Sequence, residues 1–195
     1  MGEILEINGP IVRVRQPGVH NGEQVRIGHL GLMGEVIGLD GEEAVVQVYE
    51  STESIRPGES AEPLGHPLAV ELGPGLLGQI YDGVQRPLKA ILAASGDQIA
   101  RGLQVPALDR ERAWHFTPSP DLEAGSAVAG GAVLGTVEET PTITHRILVP
   151  PDTAGELVER APEGDYRLED TVARVRDGDG RVHRLTLMQR WPVRT

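Results

Sequence analysis

The sequence contains no cysteine, one lysine and six aromatic side chains among its 195 residues. The absence of cysteine excludes disulfide bonds and thiolate metal sites. The single lysine, Lys89, lies between Leu88 and Ala90, so the chain lacks the Gly-Lys-Ser/Thr sequence of a phosphate-binding P-loop. Because aromatic residues are scarce, any core must be built from valine, leucine, isoleucine and alanine.

Long apolar runs are also lacking. No run approaches the roughly 18 residues that indicate a membrane-spanning helix. The N-terminal sequence MGEILEING has neither the basic region nor the long apolar region of a secretory signal peptide. We therefore expect no direct membrane insertion, and the lack of cysteine is compatible with the cytosol.

The net charge of −11 is concentrated in the first part of the chain. Residues 1–85 hold 13 acidic side chains and 4 arginines, a net charge of −9, whereas residues 86–195 hold 16 acids and 14 bases. Nucleic-acid binding depends largely on basic side chains that contact phosphates. We therefore do not expect a nucleic-acid partner.

The first 70 residues are typical of short strands joined by turns. Val12 and Val14 alternate with Arg13 and Arg15, which indicates one buried face. A hairpin turn is predicted at Asp40-Gly41. The predicted strands are 4–7, 11–15, 33–39 and 43–49. Five or six strands without a helical period favour a small closed β-barrel.

The remainder of the chain contains one predicted helix and a second β region. The helix is expected at Pro87–Ser95, with Pro87 in the first helical position and Gly96 as the C-terminal cap. Strands are predicted at 128–137, 143–149, 155–160, 171–176 and 182–189, the last after a hairpin turn at residues 177–180. Residues 122–137 resemble a barrel-sandwich module of the biotinyl/lipoyl type. No lysine occurs in residues 97–195, so a carrier function is excluded.

One segment matches the dinucleotide-binding pattern G-x-G-x-x-G at Gly73, Gly75 and Gly78, with Asp97 near the distance of a ribose contact. That pattern binds a pyrophosphate only when it opens a helix. Pro74 removes one backbone N–H, and Asp82-Gly83 breaks the chain before a helix can run. A tight loop with positive φ angles is the favoured interpretation.

The other candidate motifs favour ordinary structural roles. The six histidines show no metal-ligand spacing, and a site joining Asp109, His115 and His145 would depend entirely on the fold. Residues 177–180 lack the third acid and the final glutamate of a calcium loop, which favours a turn. Adjacent acids such as Glu138-Glu139 should lie on opposite faces of a strand, where we interpret them as solvated charge.

The sequence VELGPGLLGQIYDGVQRPL at residues 70–88 resembles the catalytic A subunit of V-type and A-type rotary ATPases. Further similarity to that family extends over residues 27–50, 95–116, 147–156, 161–166 and 188–194. The loops that carry it contain Gly73, Pro74, Gly75, Gly78, Asp82, Gly83, Arg86, Pro87, Asp109, Arg110, Pro150, Pro151, Trp191 and Pro192. The resemblance runs through nearly the whole chain.

This resemblance implies a mainly β fold. The expected layout is a six-stranded crown barrel (1–70), a connector with one short helix (71–107), a barrel-sandwich-like bulge domain (108–187) and the start of the return to a nucleotide-binding domain (188–195). In the family, A barrels alternate with those of the B subunit in the head ring, and the bulge has been linked to the stator. The head is cytoplasmic and peripheral to a membrane across which protons or sodium ions move.

The resemblance also implies a non-catalytic fragment. The P-loop, the catalytic glutamate and the Mg²⁺ ligands belong to the nucleotide-binding domain, so MgATP and every catalytic, cofactor-binding or metal-binding residue are expected outside residues 1–195. A free-standing assembly or regulatory protein derived from that subunit is the main alternative. A hydrolase or sugar-binding β protein that uses acids from both modules is a third hypothesis.

Overall fold

The computed structural model describes residues 2–96 and 101–193. The chain divides into two compact units. Unit 1 comprises Met1–Val70, Asp82–Val105 and Trp191–Thr195, and unit 2 comprises Glu71–Tyr81 and Pro106–Arg190. Residues 71–107, expected as a connector, are therefore distributed between the two units.

Six strands of unit 1 close into a barrel, as the alternating pattern predicted. They are β1 (Gly2–Asn8), β2 (Ile11–Arg15), β3 (Glu23–Ile27), β4 (Leu32–Asp40), β5 (Glu43–Val48) and β6 (Ser60–Pro67). Their order around the barrel is β1-β2-β5-β4-β3-β6, and neighbouring strands run antiparallel.

The barrel core is aliphatic. Val12 and Val14 are fully buried and pair across the sheet with Val46 and Ala44, whereas the alternating arginine Arg13 is exposed. The hairpin between β4 and β5 is confirmed, because Asp40 pairs with Glu43 around the turn. Burial of such side chains is the main stabilising contribution to a small barrel.

Two barrel strands, β3 and β6, have no counterpart among the predicted strands. In β3 the polar residues Glu23 and Gln24 are buried together with Val25 and Ile27, so the strand lacks the alternation of buried apolar and exposed polar residues. The sequence of β6, SAEPLGHP, carries two prolines and a glycine, which are rare inside strands. Tertiary pairing overrides these local preferences.

The segment after the barrel contains β7 (Ala69–Leu72) and then α1 (Leu88–Ser95), the one α-helix among the residues the structure describes. Gly96 caps the helix as expected, and its N–H donates to the carbonyl of Leu92. The prediction that Pro87 occupies the first helical position is wrong by one residue. Its ψ of 117° is extended and its carbonyl accepts the first helical hydrogen bond, so Pro87 is the N-cap.

Unit 2 is built from antiparallel sheets. Its strands are β8 (Trp114–Pro118), β9 (Ala127–Val128), β10 (Val133–Thr140), β11 (Ile143–Leu148), β12 (Gly155–Arg160), β13 (Gly164–Tyr166), β14 (Thr171–Arg176) and β15 (Val182–Thr186). One sheet has the order β11-β10-β8-β13 and the other β15-β14-β12-β9. A further strand, β16 (Gln189–Pro192), pairs with β7.

Two predicted strands of unit 2 are wrong in extent. The prediction for 128–137 spans two strands, because Ala129–Ala132 forms a turn closed by a backbone hydrogen bond. The prediction for 182–189 is too long, because β15 ends at Thr186 and Gln189 begins β16. The core contains Phe116, which is fully buried; a Cβ at Gly135 would lie 2.4 Å from its ring.

In the part of the chain that the structure describes, no helix is long and apolar enough to cross a membrane.

Candidate functional site

The glycine loop at residues 73–78 is folded tightly against the rest of unit 2. Gly75 and Gly78 have φ angles of +107° and +77°, as the tight-loop interpretation predicted. A Cβ at Gly73 would lie 2.9 Å from Cβ of Met188, and one at Gly75 would lie 3.2 Å from the ring of Trp114. Pro74 is buried between these two glycines. The glycines therefore allow a close approach of backbone to core.

A buried carboxylate holds this loop. Oε1 of Glu139 accepts the backbone N–H of Gly75 at 2.7 Å and that of Leu77 at 3.1 Å. Its other oxygen accepts a hydrogen bond from Nδ1 of His145 at 3.0 Å, and the Glu139 side chain is only 4% exposed. We call Glu139 with the Gly75 and Leu77 amides the Glu139 clamp.

Burial by itself raises the pKa of Glu139, since it disfavours the charged form. The hydrogen bonds from Leu77, Gly75 and His145 outweigh that effect and hold the pKa below its usual value. Glu139 is therefore held in its ionised form.

The clamp does not fit a nucleotide phosphate. The loop amides that would face a pyrophosphate already bind a carboxylate, whose negative charge repels phosphate. The next helix begins only at Leu88, so the loop opens no helix. Asp97, the candidate ribose contact, lies outside the described residues. This geometry favours the structural interpretation of the G-x-G-x-x-G pattern.

The sequence interpretation of Glu139 as solvated charge is wrong. Glu138 is exposed and Glu139 is buried, so the two acids do lie on opposite faces of β10 as expected. A signal was available in the sequence, because Glu139 lies two residues after the apolar Val137 and shares its side of the strand. The sequence did not indicate that the backbone amides of Gly75 and Leu77 would lie within hydrogen-bonding distance of the Glu139 carboxylate.

In unit 1 a second network is formed by Asp82 and Arg86. Oδ1 of Asp82 accepts the backbone N–H groups of Val84 at 3.0 Å and Arg86 at 2.8 Å, and Oδ2 accepts Nε of Arg86 at 2.7 Å. Arg86 also donates to Glu50 at 3.1 Å. Gly83 is exposed within this turn. The guanidinium is thus held between two carboxylates.

Partial burial of Asp82 acts to raise its pKa. The hydrogen bonds from the backbone and side chain of Arg86 and from Val84 are stronger, so the pKa of Asp82 lies below its usual value. The charge-assisted bond from Nε of Arg86 and the two backbone N–H groups together fix the turn on both oxygens of Asp82.

The first and last residues of unit 2 meet in an ion-pair cluster. Oε1 of Glu71 accepts from Arg110 at 2.5 Å and from Arg190 at 3.2 Å, and the Glu71 side chain is 14% exposed. Arg110 also pairs with Glu169 at 3.1 Å. Nearby in sequence, Asp109 caps its own turn by accepting the Glu111 N–H. The cluster therefore joins the first and the last residue of unit 2, whose two segments are separated in sequence by Asp82–Val105 of unit 1.

The remaining loop residues that carry the resemblance lie apart from these networks. The carbonyl of Pro150 accepts the N–H of Thr153, and Pro151 covers Gly130, where a Cβ would lie 2.7 Å from Pro151. Trp191 and Pro192 belong to β16. These positions lie in turns and in strand pairing.

Five of the six histidines lie beside a carboxylate, whereas His66 contacts the carbonyl of Pro67. His115 lies 2.9 Å from Asp165 and 3.1 Å from Glu163, and these hydrogen bonds raise the pKa of His115. His183 lies 2.7 Å from Oδ2 of Asp177, and Oδ1 of the same carboxylate accepts the N–H of Arg181. Over residues 2–96 and 101–193, no three His, Asp or Glu side chains converge as metal ligands. Asp109, His115 and His145 are therefore not brought together.

A groove of about 810 Å³ lies on unit 1. Its walls are residues 20–23, 35–37, 65–68 and Pro192. Glu23 is buried and accepts the N–H of Gly65 at 2.8 Å, and Glu35 is buried and accepts the hydroxyl of Tyr49 at 2.7 Å. Ile37, 44% exposed, adds apolar surface. This acidic groove combines buried carboxylates with an open apolar wall.

Comparison with known proteins identifies two related segments. Residues 4–65 match the ATP synthase alpha/beta family β-barrel domain, and residues 105–194 match the ATP synthase alpha/beta subunit barrel-sandwich domain. The first match covers most of the closed barrel. The second covers all of β8 to β16.

Two similar proteins align with this chain over its whole length. It is 65% identical over 194 residues to the V-type ATP synthase alpha chain of Nitrosococcus oceani and 52% identical over 195 residues to the corresponding chain, the A subunit, of the A-type ATP synthase of Thermococcus kodakarensis. Each alignment covers 100% of this chain and 33% of the relative. The solved type III secretion ATPase EscN of enteropathogenic E. coli, in complex with EscO, is 24% identical over 68% of this chain and 30% of its own, with a TM-score of 0.44.

The chain therefore spans about a third of the length of these curated relatives. Both family domains occur in the order and at the positions where the structure has its two β regions. The chain belongs to the family of V-type and A-type ATP synthase A subunits and corresponds to their N-terminal third.

Proposed function

We propose that this chain is the non-catalytic, assembly-forming portion of the A subunit of an ion-translocating V/A-type ATP synthase. The observation that carries the proposal is identity of 65% over the whole chain with a third of such a subunit. In this role unit 1 packs beside B subunits in the ring of the cytoplasmic head, and unit 2 contacts a stator or neighbouring subunit. MgATP is bound by the rest of the parent subunit.

The composition of the acidic groove favours a binding partner that carries apolar and basic side chains. Glu23 and Glu35 supply negative charge, and Ile37 supplies the apolar wall. Complementary charge accelerates and orients such an encounter. We propose that a segment of the B subunit occupies this groove.

A chimera tests the assembly role. Residues 1–195 replace the first third of the N. oceani alpha chain, and the chimera is mixed with the B subunit of that organism. We expect an alternating head that hydrolyses ATP. A folded chimera that does not assemble contradicts the proposal, as does micromolar ATP binding by the 195-residue chain in calorimetry.

Two matched variants test the groove. Ile37→Asp places a charge on the groove wall, whereas Leu39→Asp changes a similarly exposed residue (44% and 50%) outside it. We expect Ile37→Asp to weaken assembly of the chimera and Leu39→Asp to leave it unchanged. Equal effects of the two substitutions would refute the groove as the contact. The chain alone should sediment as a monomer, because half of each alternating interface is absent.

A further inference from the structure

The chain contains only two asparagines, Asn8 and Asn21, and a glycine follows each of them. Asn8 ends β1 at the β1–β2 hairpin, and Asn21 lies in the turn before β3; both are exposed. The backbone nitrogen of such a glycine can attack the asparagine side chain, because glycine has no side chain to hinder the approach. The two dipeptides are identical in sequence, so their surroundings in the fold decide how their reactivities differ.

The reaction at an Asn-Gly dipeptide is a deamidation, and water is its only co-reactant. The glycine nitrogen loses its proton and forms a bond to Cγ of the asparagine, and the C–N bond of the carboxamide breaks. The carboxamide nitrogen leaves as ammonia and carries the proton that the glycine nitrogen lost. Water then opens the five-membered succinimide at either carbonyl, which leaves aspartate or isoaspartate. Nothing is oxidised or reduced, and the net change replaces an amide by a carboxylate.

Hydrogen bonds hold the glycine nitrogen that follows Asn21. The N–H of Gly22 donates to the carbonyl of Val36 in β4 at 2.7 Å. The turn is closed by the N–H of Glu23, which donates to the carbonyl of His20 at 3.1 Å, and by the N–H of His20, which donates to the Glu23 carboxylate at 3.0 Å. Rotation of the main chain toward the Asn21 side chain would break these bonds, and each lost bond has a cost. Asn21 is thus protected although it is exposed.

The glycine nitrogen that follows Asn8 is not held in this way. Within residues 2–96 and 101–193, no protein atom accepts a hydrogen bond from the N–H of Gly9. The hairpin is held through a carbonyl instead, because the hydroxyl of Thr52 donates to the carbonyl of Gly9 at 2.6 Å. Asn8 forms the last pair of the β1–β2 ladder, with Ile11. Rotation at Asn8 therefore disturbs only the end of a hairpin, where local opening costs little.

We propose that Asn8 is a site of spontaneous deamidation in the folded protein and that the fold protects Asn21. The product at Asn8 adds one negative charge to residues 1–85, which already carry a net charge of −9. Isoaspartate also lengthens the main chain by one carbon in the tight hairpin that Thr52 holds. Asn21 lines the acidic groove, so the bond from Gly22 to Val36 keeps a further carboxylate out of that groove.

Mass spectrometry tests the proposal with the two asparagines as a matched pair. The 195-residue chain is incubated at mildly alkaline pH in heavy-oxygen water and is then digested with trypsin in ordinary water. Cleavage after Arg13, Arg15 and Arg26 places the two asparagines on separate peptides, and heavy oxygen marks only deamidation that preceded digestion. We expect Asn8 to react at least about tenfold faster than Asn21 in the folded chain. In urea the two rates should agree within about threefold, because the fold no longer distinguishes the sites.

Equal rates at the two sites in the folded chain would overturn the proposal, as would faster reaction at Asn21. It is also overturned if Asn8 does not react in the folded chain under conditions in which the unfolded chain reacts at both sites. Hydrogen exchange gives an independent readout. The N–H of Gly9 should exchange at least about tenfold faster than that of Gly22, and equal protection of the two would contradict the structural argument.

Asn8→Gln is the matched control variant. Glutamine would have to close a six-membered ring, which is much slower, and the exposed position tolerates the longer side chain. We expect the heavy-oxygen product to disappear from the peptide of residues 1–13, whereas the rate at Asn21 stays unchanged. Persistence of that product in Asn8→Gln would overturn the assignment to Asn8.

Discussion

Removal of the Glu139 carboxylate should destabilise unit 2 by several kcal/mol. The carboxylate accepts two backbone N–H groups and one imidazole N–H, and its side chain is 4% exposed. A hydrogen bond to a charged group contributes about 1.5–3 kcal/mol net. Because the freed amides lie in a surface loop and can partly regain water, we expect Glu139→Ala to cost about 2–4 kcal/mol.

A conservative variant separates charge from geometry. In Glu139→Gln the amide oxygen can still accept from Gly75 and Leu77, so the expected cost is about 1–2 kcal/mol. The exposed neighbour supplies the control, since Glu138→Gln should change the free energy of unfolding by less than about 0.5 kcal/mol. Glu138 and Glu139 are adjacent in sequence but differ in burial, so a difference between the two substitutions reports the effect of burial.

Tryptophan fluorescence provides the assay. Trp114 is buried beside Gly75, so its emission reports on this region of unit 2 when Trp191→Phe removes the second indole. Urea unfolding of each variant in that background gives the free energies. If Glu139→Ala and Glu138→Gln unfold at the same urea concentration with equal slopes, the clamp contributes nothing and the reasoning fails.

The pH dependence has a defined sign. The native pKa of Glu139 lies below the unfolded value of about 4.5, so its contribution is complete above the unfolded pKa. That contribution is lost as the pH falls through the lower native pKa. The stability difference between wild type and Glu139→Gln should therefore shrink in acid. A difference that grows below pH 4 would contradict this assignment.

Three further outcomes are expected. Gly75→Ala should cost about 1–3 kcal/mol in the same fluorescence assay, because φ is +107° and the new Cβ meets Trp114; an unchanged midpoint would contradict this. Asp82→Asn should destabilise unit 1 by about 1–3 kcal/mol by weakening the contact with Arg86, seen as faster hydrogen exchange of the turn amides. NMR titration should place the pKa of His115 above 6.5, and Asp165→Asn should lower it; equal values in both proteins would refute the pairing.

The barrel could be predicted from the sequence because its strands obey a period of two. Val12 and Val14 alternate with Arg13 and Arg15, and the Asp40-Gly41 turn sets the β4–β5 hairpin. Strand β6 could not be predicted, since its prolines and glycine argue against a strand until β1 and β3 are available to pair with it. Local preference and tertiary pairing conflict there, and pairing prevails.

The candidate site was predictable only in part. The glycine pattern correctly indicated a tight loop with positive φ angles, because only glycine adopts them without strain. The Glu139 clamp joins residues that are 62 and 64 positions apart, and no local pattern encodes such a contact. The alternation with Val137 indicates which of the two adjacent glutamates faces inward, but only the fold supplies the loop amides that hydrogen-bond its carboxylate.

The contact between Glu71 and Arg190 has a consequence for how this chain can be altered. These residues begin and end unit 2, and they lie on β7 and β16, which are hydrogen-bonded neighbours about 5 Å apart. The first and last residues of unit 2 therefore lie at nearly one point, although Asp82–Val105 between them belong to unit 1. Insertions, deletions or replacements confined to Pro106–Arg190 can change the length of unit 2 without rerouting the barrel strands, all of which precede that segment.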